Sequence, residues 1–200
     1  MNAPSGCLPI GAIILAAGAG TRMGHIKQLL PYRSSTLIRH AIEQAREARF
    51  APLIVVLGSK SAEVRENIAG LPIEITENSE WQLGMGSSIV CGMHTLQTAA
   101  PESAAVAILL ADQPLVTTDH LCRMQALLST DWPAVAAEYS GSLGVPALFQ
   151  RALFPALLSL PPKAGAKQLL RELGDAVRSF PLPEAAMDID TPEDYARLSS

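Results

Sequence analysis

The chain has 200 residues, a net charge of −4, and a composition that is 48% hydrophobic and 17% charged. That describes a folded domain with a sizeable core and excludes a disordered or low-complexity chain. The basic residues form no run, which argues against a nucleic-acid surface while leaving room for a small anion in a locally positive pocket. Cys7, Cys91 and Cys122 form no CxxC pair and have no histidine at zinc-finger spacing, so the expectation is a reduced, cytoplasmic setting.

In chain order, residues 10–16 form an apolar run suited to a fully buried strand. The apolar stretch is too short to span a bilayer, and no basic cluster precedes it as in a secretory signal. No membrane association is expected. After a glycine-rich loop, residues 36–49 read as a helix: Leu37, Ala41, Ile42, Ala45 and Ala48 share one face, and Thr36 is the candidate N-cap. LIVVL, residues 53–57, is a second buried strand, followed by a short helix over 61–69 with Ser61 as its candidate cap. A short strand at 73–76 precedes a helix at 87–98, with Ile89, Val90, Met93 and Leu96 turned inward. A fourth strand at 104–110 precedes a helix at 118–129.

This β–α alternation predicts an open parallel sheet with helices on both faces. Beyond Trp132 the pattern changes. Two strands, 134–139 and 145–149, are joined by the turn SGSLG. Helices follow at 151–158 and 164–173, then a strand at 177–180. A capped helix ends the chain, with Thr191 at the cap, Pro192 in the first turn and Asp194 at the third position. The later part reads as an excursion that returns to the same sheet. One domain is expected over 1–200, with a nucleotide half at about 8–115 and an acceptor half at about 116–200.

Open parallel sheets bind ligands beyond the carboxyl ends of their strands. Four segments converge there: the glycine loop, Gly58-Ser59, residues 77–88 and residues 110–114. Gly18, Gly20 and Gly24 are spaced GxGxxxG. A dinucleotide fingerprint would need glycine at Met23 and an acidic residue after the second strand, where Gly58-Ser59-Lys60 stands. A Walker lysine–serine pair is also missing. A plain strand-to-helix turn explains the glycines but not Arg22 and Lys27 in the same loop. An anion cradle explains both: glycines admit backbone N–H groups to phosphate oxygens, Arg22 offers a two-pronged donor and Lys27 a point charge.

Asp112 ends a strand at the ligand edge, as a turn cap or as a metal ligand. Beside a phosphate loop the second role gains weight, because Mg²⁺ takes one or two protein carboxylates and completes its shell with phosphate oxygens and water. Asp188 and Asp190 are candidate partners, or simply acidic residues favoured ahead of a helix. His25 and Trp81 are read first as a solvated loop residue and as packing under the loop. Phosphate contact and base stacking are the alternatives.

Four segments, LAAGAGTRMGHIKQLLPY, ENSEWQLGMGSSIVCGM, LLADQPLVT and DIDTPEDYARL, resemble the MobA-like nucleotidyltransferases of molybdenum cofactor biosynthesis, the molybdenum cofactor cytidylyltransferase group in particular. The resemblance implies a Rossmann-like three-layer α/β sandwich with a mostly parallel central sheet. It also implies Mg²⁺ and attack of an acceptor phosphate on the α-phosphate of a nucleoside triphosphate. By motif, Ala16, Ala17, Gly18 and Gly20 would touch the nucleotide, and Arg22 and Lys27 would face its phosphates as catalytic residues. Gly84, Gly86, Ser87 and Ser88 would close over base and ribose, while Asp112 and Asp190 would hold the metal. Ala17, where guanylyltransferases carry glycine, points to CTP. The acceptor would be phosphorylated, such as molybdopterin, and a molybdoenzyme would be the protein partner. Two departures fall in the acceptor half: PPKAGAKQLL with Lys163 and Lys167 where the group has GDxGAR, and Val145 where it has histidine or asparagine. A non-catalytic nucleotide-binding or cofactor-delivery protein is the alternative from another class.

Overall fold

The computed structural model describes residues 9–18 and 25–198. The segments in order are β1 (Ile10–Ala16), β2 (Pro31–Tyr32), β3 (Ser35–Thr36), α1 (Leu37–Glu47), β4 (Leu53–Leu57), α2 (Ser61–Asn67), β5 (Glu74–Glu77), α3 (Met85–Ala99), β6 (Ala105–Leu110), α4 (Thr118–Leu127), β7 (Ala134–Tyr139), β8 (Ser142–Gln150), α5 (Phe154–Leu158), α6 (Ala166–Leu173), β9 (Val177–Pro181) and α7 (Pro192–Leu198). Seven strands make one sheet in the order β5-β4-β1-β6-β8-β7-β9, and β2–β3 form a separate hairpin.

Every residue of β1 is buried, because it pairs in parallel with β4 on one side and β6 on the other while helices cover both faces. Its alternating side chains divide the interior. Ile10, Ala12, Ile14 and Ala16 join a core with Ile38 and Ile42 of α1 and Leu121 and Met124 of α4. Ile13 and Leu15 face a second core with Ile89, Met93 and Leu96 of α3 and Leu169 and Leu170 of α6. The result is the three-layer α/β sandwich expected.

The excursion after β6 inserts β8 antiparallel between β6 and β7, and β9 then pairs in parallel with β7 at the edge. All the sheet strands but β8 therefore run the same way. The β7–β8 turn is tighter than SGSLG: Ser140 and Gly141 alone make it, both at positive φ (49° and 71°), as a two-residue hairpin requires. A second correction concerns α2. Its N-cap is Lys60 in the left-handed conformation with no side-chain cap bond, and Ser61 instead donates its hydroxyl to Glu77 Oε1 at 2.8 Å. The β2–β3 hairpin, too short for any periodicity, was not foreseen. Thr36 does cap α1, accepting from the Arg39 N–H.

Two glycines let α3 and the sheet meet closely. A Cβ on Gly92 would stand 2.6 Å from Ile13 Cγ2, and one on Gly11 would stand 2.5 Å from Leu96 Cδ1. Both neighbours are buried side chains in a close-packed interior. Leu96→Ala should therefore cost about 2–5 kcal/mol, and Gly11→Ala alone about 1–3 kcal/mol. In the double variant the alanine at 11 enters the space that Leu96 leaves. Urea unfolding should then show a loss smaller than the sum by about 0.5 kcal/mol or more; strict additivity would mean that the two do not touch.

Candidate functional site

The parallel register brings the carboxyl ends of β1, β4 and β6 level, with Ala16 beside Leu57 and Leu15 beside Leu110. Residues that follow β1, β5 and β6 line a cavity of about 440 Å³, within the range of small-molecule sites; Gly58-Ser59 after β4 does not border it. Ala17 and Gly18 come from β1, Ala111 and Asp112 from β6, and Trp81, Gly84 and Ser88 from the segment after β5. Gly58 is the close approach that allows this: a Cβ there would stand 2.8 Å from Cβ atoms of both Ala17 and Trp81.

Lys27 rises from a short 3-10 turn, Lys27–Leu29. Its ammonium donates to Asp112 Oδ2 in a very short contact and to Asp190 Oδ1 at 3.1 Å. Lys27 and Asp112 are both largely buried, their side chains 14% and 13% exposed. Burial alone would pull the Lys27 ammonium down, but the Asp112 charge and hydrogen bond, then Asp190, outweigh it and hold the group above its ordinary value. The two carboxylates lie far apart in sequence. They meet because Ile189 N–H donates to the Asp112 carbonyl at 3.1 Å and the Ile189 side chain is fully buried against Leu37. Asp194 and Thr191 exchange capping bonds at the start of α7, as the sequence pattern indicates.

Asp188 lines the same cavity. Burial, and then the charge of Asp112, pushes its carboxyl up to about 6. One oxygen of Asp112 and one of Asp188 are buried without a hydrogen-bond partner. Orphaned hard oxygens at a cavity wall are the donors that a divalent cation takes. These residues therefore fit such a metal, although among the described residues no cluster of three or more His, Cys, Asp or Glu forms a ready-made site.

The other expected site residues separate on placement. Ala17, Gly18, Lys27, Gly84, Ser88, Asp112 and Asp190 all border the cavity. Gly20 and Arg22 lie outside the described residues. Ala16 is buried at the end of β1. Gly86 faces the 161–164 loop, where a Cβ would meet Pro161 O at 2.1 Å and Ala164 O at 2.5 Å. The Ser87 hydroxyl donates to Gly84 O and Glu80 O and receives a bond from Asn78. Gly86 and Ser87 thus shape the start of α3, and Gly84 and Ser88 are the members of that group at the cavity. Trp81 borders the cavity rather than packing wholly beneath the loop. Lys167 donates to Ser142 Oγ at 2.7 Å, and Lys163 is exposed beside Gly84.

Three uncharged amides escaped the sequence reading. Gln28, 3% exposed, donates its amide to the carbonyls of Ala16 and Gly18, both at 3.0 Å. Asn78 donates to the hydroxyls of Ser87 and Ser88 and accepts from Glu80 N–H. Gln113 donates to the Val145 and Ala185 carbonyls. Each ties a loop at the strand ends to another part of the fold. The available signal was an uncharged amide set inside a motif: the glutamine after Lys27, the asparagine after Glu77 and the glutamine after Asp112.

The MobA-like NTP transferase domain matches residues 12–177. The chain is 30% identical to the nicotine blue oxidoreductase of Paenarthrobacter nicotinovorans, over 94% of this chain and 96% of that protein. It is 29% identical to the purine catabolism protein PucB of Bacillus subtilis, over 92% of each. Among solved structures, Rv0371c of Mycobacterium tuberculosis superposes with a TM-score of 0.82 at 29% identity, covering 98% of this chain and all of that one. A structure of Rv0371c in complex with manganese superposes at 0.74 and 28% identity, over 96% of this chain and 98% of that one.

Gln28 gives the sharpest structural test here. Removing its amide leaves two carbonyls at the end of β1 without their donor, a loss of about 1–3 kcal/mol. Gln28→Ala should lower the unfolding free energy by that amount and speed amide exchange at Gly18 relative to the centre of β1. An unchanged exchange rate at Gly18 would mean that another group holds the loop.

Proposed function

The chain belongs to the MobA-like NTP transferase family and is a nucleotidyltransferase, and from that premise we propose that it moves CMP from CTP to a phosphorylated acceptor such as molybdopterin, releasing pyrophosphate. The observation that carries this reading is Lys27, held between Asp112 and Asp190 on the wall of a cavity that begins at Ala17-Gly18. An acceptor phosphate oxygen attacks the α-phosphorus, and the bond from the α-phosphorus to the bridging oxygen breaks. That bond's electron pair leaves with pyrophosphate.

A phosphate monoester dianion is already a nucleophile, so no general base is required of the chain. Its work is positioning and charge stabilisation. The Ala17-Gly18 turn admits the nucleotide, and Lys27, with Arg22 of the same loop, faces its phosphates. Ser88 and Gly84 border the same cavity. Asp112, with Asp190 or the orphaned Asp188, would hold a divalent ion, Mg²⁺ in this reading. That ion would neutralise charge on the triphosphate. The Ala17 methyl group narrows the slot next to Gly18 and favours a pyrimidine.

Binding and delivery of a nucleotide-linked cofactor without chemistry is the second reading. Two relatives whose names are not those of nucleotidyltransferases keep it in view. Pyrophosphate release, assayed with each of the four triphosphates, Mg²⁺ or Mn²⁺, and molybdopterin as acceptor, separates the two. CTP should give the fastest release. Nucleotide binding without release under every combination would replace transfer by delivery, and equal affinity for CTP and GTP in calorimetry would remove the base assignment.

Lys27→Ala should lower kcat by roughly 10²–10³ while changing CTP affinity far less, because the ammonium meets the transferring charge in the transition state. An unchanged kcat would take Lys27 out of the chemistry. Mn²⁺ should bind the free protein weakly and tightly only with nucleotide. Asp112→Ala and Asp190→Ala should each lose activity by a similar factor, with the double variant little worse. Near-normal turnover in Asp190→Ala alone would pass the second ligand role to Asp188.

A further inference from the structure

A separate cavity of about 260 Å³ lies between the β2–β3 hairpin, α1 and the 71–72 segment. Its wall carries Arg33, Arg39 and Arg46 against one carboxylate, Glu43, together with the hydroxyls of Ser34 and Ser35. In a chain of net charge −4, this is a local reversal of sign. The single carboxylate is already taken: Arg46 Nε and Nη2 reach the two oxygens of Glu43 at 2.9 and 2.5 Å. Arg39 Nε donates to the Asn67 carbonyl at 2.7 Å, which fixes the plane of its guanidinium.

Arg33 is the first residue of the two-residue turn that joins Tyr32 to Ser35, and its φ of 51° is what such a turn requires. The turn holds the guanidinium 5.3 Å from the Tyr32 ring centroid, on the cavity rim. The hairpin is also anchored at both ends: Tyr195 O–H donates to Pro31 O at 2.6 Å, and Thr36 donates its hydroxyl to Asn67 Oδ1 at 2.9 Å. Tyr32 is braced edge-on by His40, whose ring nitrogen lies 3.2 Å from Pro114 O.

We propose that this cavity is a second anion site, in which Arg33 and Arg39, with the hydroxyls of Ser34 and Ser35, take a phosphate group of a small molecule. Guanidinium forks match the oxygens of a phosphate in pairs, and hydroxyls supply the remaining donors. The site is distinct from the cavity at Lys27 and does not depend on the transfer reaction.

The test is a titration of the full chain, without divalent metal, followed by amide and arginine Nε resonances. Orthophosphate, pyrophosphate and ribose 5-phosphate run as separate arms; whichever binds most tightly tells an inorganic from an organic source. Saturable shifts should appear at Arg33, Ser34, Ser35 and Arg39 Nε. Arg33→Gly, which removes the guanidinium and suits the backbone, should weaken binding about tenfold, and Arg33→Lys should recover part of it. Shifts confined to Gly18, Lys27 and Ala111, or an affinity unchanged in Arg33→Gly, would overturn the proposal. So would the absence of any saturable shift at Arg33 and Ser34 in all three arms.

Discussion

One ammonium group holds three separate parts of this chain together. Lys27 belongs to the loop after β1, Asp112 to the end of β6 and Asp190 to the approach to α7, and the lysine donates to both acids. Lys27 and Asp112 are shielded enough that either left unpaired would be costly, whereas Asp190, 39% exposed, adds a weaker tie. The backbone agrees with the side chains: Ile189 N–H reaches the Asp112 carbonyl and the Ile189 side chain fills a buried site beside Leu37. The terminal segment is thereby a wall of the cavity, not an appendage.

The same constraint explains how the amides are used. A strand that ends inside the protein leaves carbonyl groups that must find donors. Gln28 supplies them for Ala16 and Gly18 at the end of β1, and Gln113 bridges the Val145 carbonyl within β8 to that of Ala185. Asn78 fastens the segment after β5 to the first turn of α3. These groups carry no charge. They hold in place the backbone at the rim of the cavity, beside the charged groups that line it.

The two sides of the sheet are built differently. β5, β4, β1 and β6 form a parallel block whose strand ends carry the glycine turn and Asp112. β8, β7 and β9 extend the sheet on the other side through one reversed strand. Of the two lysines that depart from the group's pattern, Lys167 bonds to Ser142 on β8, whereas Lys163 lies beside Gly84 in the segment after β5.

Local physics determined much of this from the sequence. Continuous apolar runs with β-branched residues made β1, β4 and β6 legible as buried parallel strands, and helical spacing with a threonine cap made α1 legible. The density of glycine ahead of Lys27, and an aspartate at the end of an apolar run, marked two of the charged groups that meet at the cavity. Short-range patterns could not assign the β2–β3 hairpin, because two-residue strands have no period. Nor could they show that Lys60, not Ser61, starts α2, since that rests on a left-handed backbone. Nor could they show that Gly86 packs against residues 161–164 or that Ser87 bonds to Asn78. Above all, the meeting of Lys27 with Asp112 and Asp190, and the orphaned oxygen of Asp188 beside them, are contacts between residues far apart in the chain. Sequence spacing carries no distance between such residues; only the closing of the sheet and the burial of Ile189 bring them within reach.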